Sequence, residues 1–266
     1  MRDAPLELRA LPGLPEVRPG DDLAAIIHAA LARASLVLRA GDALVVAQKV
    51  VSKAEGRFID LATVTPSARA IELAATVRKD PRFVEVVLAE STEVVRAVPD
   101  ILITRHRQGF VMANAGIDRS NVPGAGDDRV LLLPLDCDAA ARRLRERIAG
   151  LMHPRQGDAG AAPPSWPAVV VSDSFGRPWR QGTVNVALGV AGMPALRDLR
   201  GGTDREGRVL QTTQVALADA LAAAAGLVMG ESTEGTPVVL ARGLDFSGPL
   251  ADGQALVRPP AEDLFR

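Results

Sequence analysis

Two apolar runs enclose a polar segment in VVVSDSFGRPWRQGTVNVALGVAGM, residues 169–193 of the chain. The first run is typical of a buried β-strand, and Ser172, Asp173 and Ser174 follow it directly. A carboxylate and hydroxyls are hard oxygen ligands that suit Mg²⁺ or Mn²⁺, which complete their coordination with phosphate and water. Arg177 and Arg180 come next, and either guanidinium could bind a phosphate or a carboxylate in bidentate fashion. The segment predicts a metal–phosphate site at a strand end; the alternative is an ordinary loop with surface arginines.

The composition of the chain bounds the class of protein. The 266 residues are 47% apolar, enough for the core of one large or two small domains. A net charge of −1 predicts no general attraction to nucleic acid or to a membrane. No apolar run is long enough to span a bilayer, and residues 1–15 lack the pattern of a signal peptide. Cys137 is the single cysteine, which excludes an internal disulfide and makes the cytoplasm the expected compartment.

Hydrophobic periodicity predicts a mixed α/β (α+β) fold with mixed sheets, because helices and strands alternate without the rhythm of a Rossmann or P-loop fold. The predicted helices are Leu23–Leu38, Pro66–Lys79, Arg82–Glu90, Asp136–Met152 and Thr212–Met229. The predicted strands are Ala43–Val51, a hairpin of Ile101–Thr104 with Gly109–Ala113, Ala168–Val171 and Val238–Ala241. Proline and glycine make His153–Pro167 the predicted linker, and a surface tail is expected from Gly248.

A second candidate element is GDALVVAQKVVSKAEGR, residues 41–57. We expect a buried strand here to present Gln48, Lys49, Ser52 and Lys53 at its end. Ammonium groups balance phosphate charge, and a serine hydroxyl donates to phosphate oxygens. No Walker-type glycine loop occurs in the chain, which excludes a P-loop nucleotide site. The alternative is a strand end with solvated lysines.

A third candidate element is NAGIDRSN, residues 114–121, which follows an apolar strand. Asp118 could bind a hard cation, and Asn121 could both donate to and accept from a base or a sugar. The alternative is turn chemistry, since Asn, Asp, Ser and Gly dominate turns. Later in the chain, residues 196–208 are dense in charge and glycine, as substrate loops often are. Glu231 is either a further metal or nucleotide ligand or a solvated helix end.

Seven motifs in this order resemble one known family. They are GLPEV (13–17), VVAQKVVSKAEGR (45–57), GFVMANAGIDRSN (109–121), LLLPLDCDAAARRLR (131–145), SDSFGRPWRQGTVNVALGVAGM (172–193), DLRGGTDREGR (198–208) and MGE (229–231) ahead of PVVLARGL (237–244). From about Leu11 to Leu244 the chain is similar to the coenzyme F-420:L-glutamate ligase family, also called the F-420-0 gamma-glutamyl ligases.

This resemblance implies a GTP-dependent, amide-forming ligase with a two-lobed mixed fold. It also implies two divalent ions (Mg²⁺ or Mn²⁺), possible use of K⁺, and a homodimer. Such an enzyme adds L-glutamate to F-420-0, and then a further gamma-linked glutamate, through an acyl phosphate, with release of GDP and phosphate. The ligase unit would span residues 11–246, and residues 247–266 would form the tail. Some members continue into a nitroreductase-like domain, which we do not expect in a chain that ends at Arg266.

The resemblance also assigns roles to individual residues. GTP contacts are expected from Leu14, Pro15, Glu16, Val17, Gln48, Lys49, Lys53, Asn121, Gly230 and Glu231. The expected metal ligands are Asp118, Asp173, Ser174 and Glu231, and the expected catalytic residues are Asp118, Asp173, Arg177 and Lys53. Ser174 stands where threonine is common, which retains the hydroxyl. Gln108 stands where many members have histidine, which leaves the role of that side chain open.

Other functions stay open on the sequence alone. A ligase of the same mechanism could act on another carboxylate acceptor, such as a folate-like molecule. A non-catalytic module could bind GTP without cleaving it. A Ser/His/Asp hydrolase is disfavoured, because His28, His106 and His153 fall on separate predicted elements and no nucleophile elbow occurs.

Overall fold

The computed structural model describes residues 5–120, 128–152 and 167–263. Its α-helices are α1 (Leu23–Arg33), α2 (Gln48–Ala54), α3 (Ala68–Val77), α4 (Pro81–Ala89), α5 (Cys137–Met152) and α6 (Leu217–Met229). Its strands are β1 (Glu7–Ala10), β2 (Ala43–Ala47), β3 (Phe58–Asp60), β4 (Ser91–Val98), β5 (Ile101–His106), β6 (Val111–Ala113), β7 (Arg129–Leu131), β8 (Ala168–Arg177), β9 (Arg180–Ala191), β10 (Leu196–Asp198), β11 (Gln214–Ala216) and β12 (Val238–Arg242). The mixed α/β fold is confirmed, and no described helix has the length and apolarity to cross a membrane.

A five-stranded sheet in the order β1-β12-β2-β8-β9 forms the centre of the fold. β2 and β8 run parallel, and the other neighbours are antiparallel. Successive side chains point to opposite faces of the sheet. Leu44, Val46 and Val169 pack with α1, α2 and α5 on one face, whereas Val45 and Val170 pack with α6 on the other. The sheet is therefore covered on both faces, and residues 43–46, 168–171 and 238–241 of its inner strands are apolar and buried.

A smaller group of elements forms a second core. It combines α3 and α4 with the antiparallel sheet β4-β5-β6, and the pair β3–β7 lies alongside. The break between the two helices falls at Asp80-Pro81, as predicted. Asp80 caps the N-terminus of α4 by accepting from the backbone N–H of Arg82 at 2.8 Å, and Pro81 is the first helical residue. The predicted hairpin of β5 with β6 is confirmed, while β4 lies outside the predicted strands.

The prediction of one strand over Ala43–Val51 is wrong beyond Ala47, because the chain turns there into α2. In α2, Val50 and Val51 precede Ala54 by four and three residues, a helical spacing, and all three pack into the same core. In an unbroken apolar run, that spacing is hidden among the β-branched residues. The consequence is functional, since Gln48, Lys49 and Lys53 lie on a helix that starts at the end of the strand.

The prediction of a strand that ends at Val171 is also wrong. β8 continues to Arg177 and pairs with β9, so the predicted loop is a β-hairpin. The register shifts between Val171 and Ser172, a β-bulge that re-aims the following side chains. Asp173 and Ser174 thus lie within a strand, on paired backbone, which fixes their positions more firmly than a loop would.

Three predicted ends of elements differ from the structure. α1 stops at Arg33 rather than Leu38, because Ser35 adopts a left-handed φ of 54°. α6 begins only at Leu217, after strand β11. The tail is mostly exposed, as predicted, but Gly253 is buried, and its N–H donates to Asp138 Oδ1 at 2.7 Å. The predicted linker 153–167 lies, apart from residue 167, outside the described residues.

Candidate active site

A cavity of about 330 Å³ lies where β2 and β8 end at the same edge of the central sheet. The parallel register places Ala47 beside Ser172, so Gln48 and Asp173 come next to each other at that edge. In α/β folds, ligands bind outside the carboxyl ends of parallel strands. The cavity is lined by most of the residues expected to contact nucleotide or metal: Leu14, Pro15, Glu16, Val17, Gln48, Lys49, Lys53, Asp173, Ser174, Gly230 and Glu231.

Helix α2 ties this cavity to the NAGIDRSN loop. The buried Gln48 accepts from the Ser52 hydroxyl at 2.8 Å and donates through Nε2 to Asp118 Oδ2 at 2.9 Å. Lys49 Nζ lies 3.4 Å from the same carboxylate oxygen and donates to Ser120 Oγ at 3.0 Å. Asp118 is therefore held at the cavity by one amide and one ammonium group, although the loop is distant from α2 in sequence.

Lys53 supplies a second positive charge at the cavity. Its side chain is only 6% exposed, and its ammonium group donates to Glu16, whose side chain is 55% exposed. A buried ammonium is costly unless it is paired. The Glu16 side chain is far more exposed than that of Lys53. An incoming anion could therefore share or replace the contact with Glu16 without leaving the Lys53 ammonium group unpaired.

The carboxyl groups of Asp118 and Asp173 are both difficult to ionise. Burial raises the pKa of Asp118 above its ordinary value, against the opposing effects of Lys49 and Gln48. Burial also raises the pKa of Asp173 to about 8, and the charges of Asp118 and Glu231 add to this effect. Asp173 is partly exposed, and it lines the cavity. Two close carboxylates with these shifts form a site that favours an added cation.

The structure does not assemble the whole expected ligand set. Among the described residues, no group of three or more Asp, Glu, His or Cys side chains could hold a metal ion. Asp118 and Asp173 are near enough to shift each other's ionisation, and Ser174 lines the same cavity. Glu231 is exposed at the rim. The geometry thus presents an aspartate pair rather than a closed metal cage.

Two expected residues stand apart from the cavity or outside the described chain. Arg177 donates to the backbone carbonyl of Gln181 at 3.1 Å, within the β8–β9 hairpin, and does not line the cavity. The neighbouring Arg180 is exposed. Asn121 belongs to residues 121–127, outside the part of the chain that the structure describes.

The sequence interpretation missed two polar residues of the cavity, Ser172 and Asn185. The Ser172 hydroxyl is buried and has no hydrogen-bond partner among the described residues. Asn185 is 6% exposed and faces Ser174 across the hairpin, with a long contact of 4.0 Å to Met229 Sδ. The sequence did offer a signal, since each of these two residues adjoins or interrupts an apolar run. Buried polar groups need hydrogen-bond partners, so a polar residue in such a run indicates a possible ligand contact.

The structure shows the contacts of Gln108 and the positions of two of the histidines relative to the cavity. Gln108 donates to the Pro134 carbonyl at 2.8 Å and accepts from the Cys137 N–H at 2.9 Å. It therefore holds the start of α5, where Cys137 is buried. Of the histidines, His28 and His106 do not line the cavity, and His153 is outside the described residues.

Fold and cavity together define a mixed α/β enzyme with a polar site at a sheet edge. The model of the family described as F420-0:Gamma-glutamyl ligase matches residues 13–243. The chain therefore belongs to the F420-0:gamma-glutamyl ligase family, a family of amide-forming ligases, and the resemblance read from the sequence is confirmed.

Curated relatives agree with the family over nearly the whole chain. A coenzyme F420:L-glutamate ligase of Methanopyrus kandleri is 45% identical and covers 98% of both chains. One of Methanothermobacter thermautotrophicus is 43% identical over 98% of this chain and 99% of its own. One of Halorubrum lacusprofundi is 47% identical over 91% of this chain and 88% of its own.

Proposed function

We propose that this protein is a GTP-dependent ligase that joins L-glutamate to F-420-0 and then adds a further gamma-linked glutamate. The observation that carries the proposal is a cavity lined by Asp173, Lys49 and Lys53. Asp118 lies beside it, hydrogen-bonded to Gln48 and 3.4 Å from the Lys49 ammonium group. Anionic groups could be held there by the two ammonium groups, while the carboxylate pair favours bound cations. Family membership supports the acceptor and the amino acid.

The residues present fit two divalent ions, Mg²⁺ or Mn²⁺, and K⁺ stays an optional addition. Asp118, Asp173 and Ser174 would supply oxygen ligands, and Glu231 could complete them from the rim. The unpartnered buried hydroxyl of Ser172 is consistent with a polar ligand at this end of β8. When bound, such ions neutralise the charge of the phosphates during transfer.

The chain's own residues would position two reactions. An oxygen of the acceptor carboxylate attacks the γ-phosphorus of GTP, the bond to the β–γ bridging oxygen breaks, and GDP leaves. The glutamate amine then attacks the acyl carbon, the bond to the phosphate oxygen breaks, and the amine proton leaves with phosphate. Lys49 and Lys53 would offset negative charge in both steps, and Gln48 holds Asp118 in place. Arg177 would offset this negative charge as well only if the β8–β9 hairpin moved towards the cavity.

We also propose a homodimer that acts in the cytoplasm, where GTP is available. Leu227 is 86% exposed and Val228 38% exposed at the end of α6, which supports an apolar contact with a second subunit. Sedimentation velocity of the purified protein checks this part. A dimer mass supports it, and a monomer at micromolar concentration would contradict it.

The activity has a direct test. We expect purified protein with F-420-0, GTP, L-glutamate and Mn²⁺ to release GDP and to yield a product heavier by one glutamyl unit. Mass spectrometry of the product and phosphate release measure both outcomes. Absence of both, with substrates intact, would refute the proposal. Turnover of a folate-like carboxylate in place of F-420-0 would support a different acceptor, and GTP binding without phosphate release would support a non-catalytic module.

A further inference from the structure

A second and larger cavity, of about 810 Å³, lies along the β8–β9 hairpin. Its volume is within the range of pockets that bind organic ligands. Phe110, Phe175, Val186 and Val257 form its apolar wall, and Trp179 stands at the hairpin turn beside it. Nothing in the assignments above uses this cavity, although a ligase with three substrates needs space for an acceptor.

The two cavities meet at one cross-strand pair. Asp173 lines the first cavity, and Val186, which lies directly opposite Asp173 in the hairpin register, lines the second. Side chains of such a pair are about 5 Å apart at Cβ. Both residues of the neighbouring pair, Ser174 and Asn185, line the first cavity, and Phe175, one residue further along β8, lines the second. A molecule seated in the second cavity could therefore extend a carboxylate to Asp173.

Arg96 is the cation of the second cavity that could bind an anionic ligand at its rim. Arg105 lies 3.4 Å from Glu93 and 3.8 Å from Asp263, so its charge is already offset by carboxylates. Asp219 accepts from the backbone N–H of Ala187 at 2.9 Å. Arg96 is exposed on β4 and has no hydrogen-bond or ion-pair partner among the described residues, which leaves its guanidinium available to an anion.

The C-terminal segment closes this cavity and is firmly anchored. Val257 and Arg258 line the cavity, and the backbone N–H groups of Gly253 and Gln254 donate to Asp138 at 2.7 and 3.2 Å. Asp138 also accepts from the N–H of Val190 on β9 at 2.8 Å. One carboxylate thus fixes the segment to the hairpin, so that this wall is already formed before a ligand binds.

We propose that the second cavity binds the body of the acceptor, a planar aromatic molecule with an anionic group, and directs its carboxylate past Val186 to Asp173. The inference rests on the proposed ligase function and names the part of the protein that selects the acceptor. The apolar wall holds the ring, and Arg96 holds the anion. GTP and the acceptor then approach Asp173 from two neighbouring cavities.

Steady-state kinetics of two variants test this assignment. Val186→Phe fills the cavity with a larger side chain, and Arg96→Ala removes the guanidinium proposed to bind the anion. Each variant is expected to raise the KM for F-420-0 about tenfold. In the first the space for the ring is lost, and in the second one charged hydrogen bond is lost. The KM for GTP should change less than about twofold. Arg69→Ala, an exposed arginine on α3, removes the same charge away from both cavities and should leave both KM values unchanged. An unchanged KM for F-420-0 in both variants, or an equal rise for GTP, would overturn the inference.

Direct binding separates this inference from the proposed activity. Trp166→Phe leaves Trp179 as the single tryptophan, and F-420-0 without GTP is expected to quench its fluorescence in a saturable manner. Quenching that weakens about tenfold in Val186→Phe, in a protein that forms no product, would support the cavity and refute the activity. Product formation by the wild type, with no quenching and no effect of either variant, would refute the cavity alone.

Discussion

At the scale of single residues, the central feature is a pair of aspartates that the fold brings together from two separate segments. Asp118 comes from an irregular loop after β6, and Asp173 from within β8. Asn114 and Ala115 both adopt left-handed backbone conformations just before Asp118, at φ 52° and 53°. Such strain in residues other than glycine is uncommon and is retained mainly at functional sites. We interpret the loop as one that holds Asp118 against Gln48 and Lys49 beside the cavity.

Asp173→Asn is expected to lower ligase turnover at least about 100-fold, because it removes a carboxylate proposed to bind the metal ions that neutralise the reacting phosphates. The amide has nearly the same shape, so circular dichroism should show an intact fold. Asp100→Asn makes the same chemical change at an exposed turn and is expected to retain wild-type turnover. Wild-type activity in Asp173→Asn would contradict the assigned role.

Glu90 carries a separate, structural role that depends on pH. Burial opposes its ionisation, but the imidazole of His106 and the guanidinium groups of Arg107 and Arg57 outweigh this and lower the pKa of Glu90 below 4.5. A lowered pKa in the folded state stabilises the protein above pH 4.5, and this stability is lost as the pH falls through the folded-state value.

Glu90→Gln is therefore expected to reduce the free energy of unfolding by about 2–3 kcal/mol at pH 7, since it removes the charge of a buried carboxylate that pairs with Arg57 and Arg107. The deficit should shrink as the pH falls towards 3, where the wild-type carboxyl is also neutral. Urea denaturation at both values measures it, with the exposed Glu72→Gln on α3 as the control. A deficit that is equal at the two pH values would show that charge is not the cause.

At the scale of elements, the β8–β9 hairpin both carries Asp173 and packs against helix α5. Gly189 on β9 lies against the start of α5, and a Cβ atom placed there would come 2.0 Å from the Cys137 carbonyl oxygen. The hairpin and α5 can approach this closely only because position 189 has no side chain. The same contact positions Asp138, which follows Cys137 in the chain. The Asp138 carboxylate accepts from the N–H of Gly253 and so holds the C-terminal segment.

Gly189→Ala is expected to destabilise the protein by about 2–4 kcal/mol, because backbone rather than a flexible side chain must move. Gly176→Ala on β8 is the matched variant, since its added methyl group meets no atom within 4 Å. Thermal unfolding followed by circular dichroism compares the two. Equal melting temperatures would show that the close approach of β9 to α5 is not needed.

The same elements show which features the sequence can predict. The helices α3, α4 and α5 were predictable because capping residues and periodicity agree locally. α2 was not, because its apolar residues continue the run of β2. The extension of β8 was hidden too, since Ser172-Asp173-Ser174 has the composition of a turn and becomes strand only through pairing with β9.

At the scale of the whole molecule, the site is made by topology rather than by any one segment. The parallel pairing of β2 with β8 places residues 48 and 173 at one edge, and the loop after α6 closes the same cavity. The individual motifs were visible in the sequence, but their distances depend on this long-range pairing. The second cavity was not predictable, because its lining comes from β4, β5, the hairpin and the C-terminal segment.

The central claim is that this fold joins an acceptor carboxylate to glutamate through an acyl phosphate made from GTP. It is tested most directly with F-420-0 whose reacting carboxylate carries ¹⁸O, in the presence of GTP, L-glutamate and Mn²⁺. Mass spectrometry of the released phosphate is expected to find one ¹⁸O atom, transferred when the carboxylate oxygen leaves with phosphorus. Phosphate without ¹⁸O, alongside a product extended by glutamate, would contradict the acyl-phosphate account.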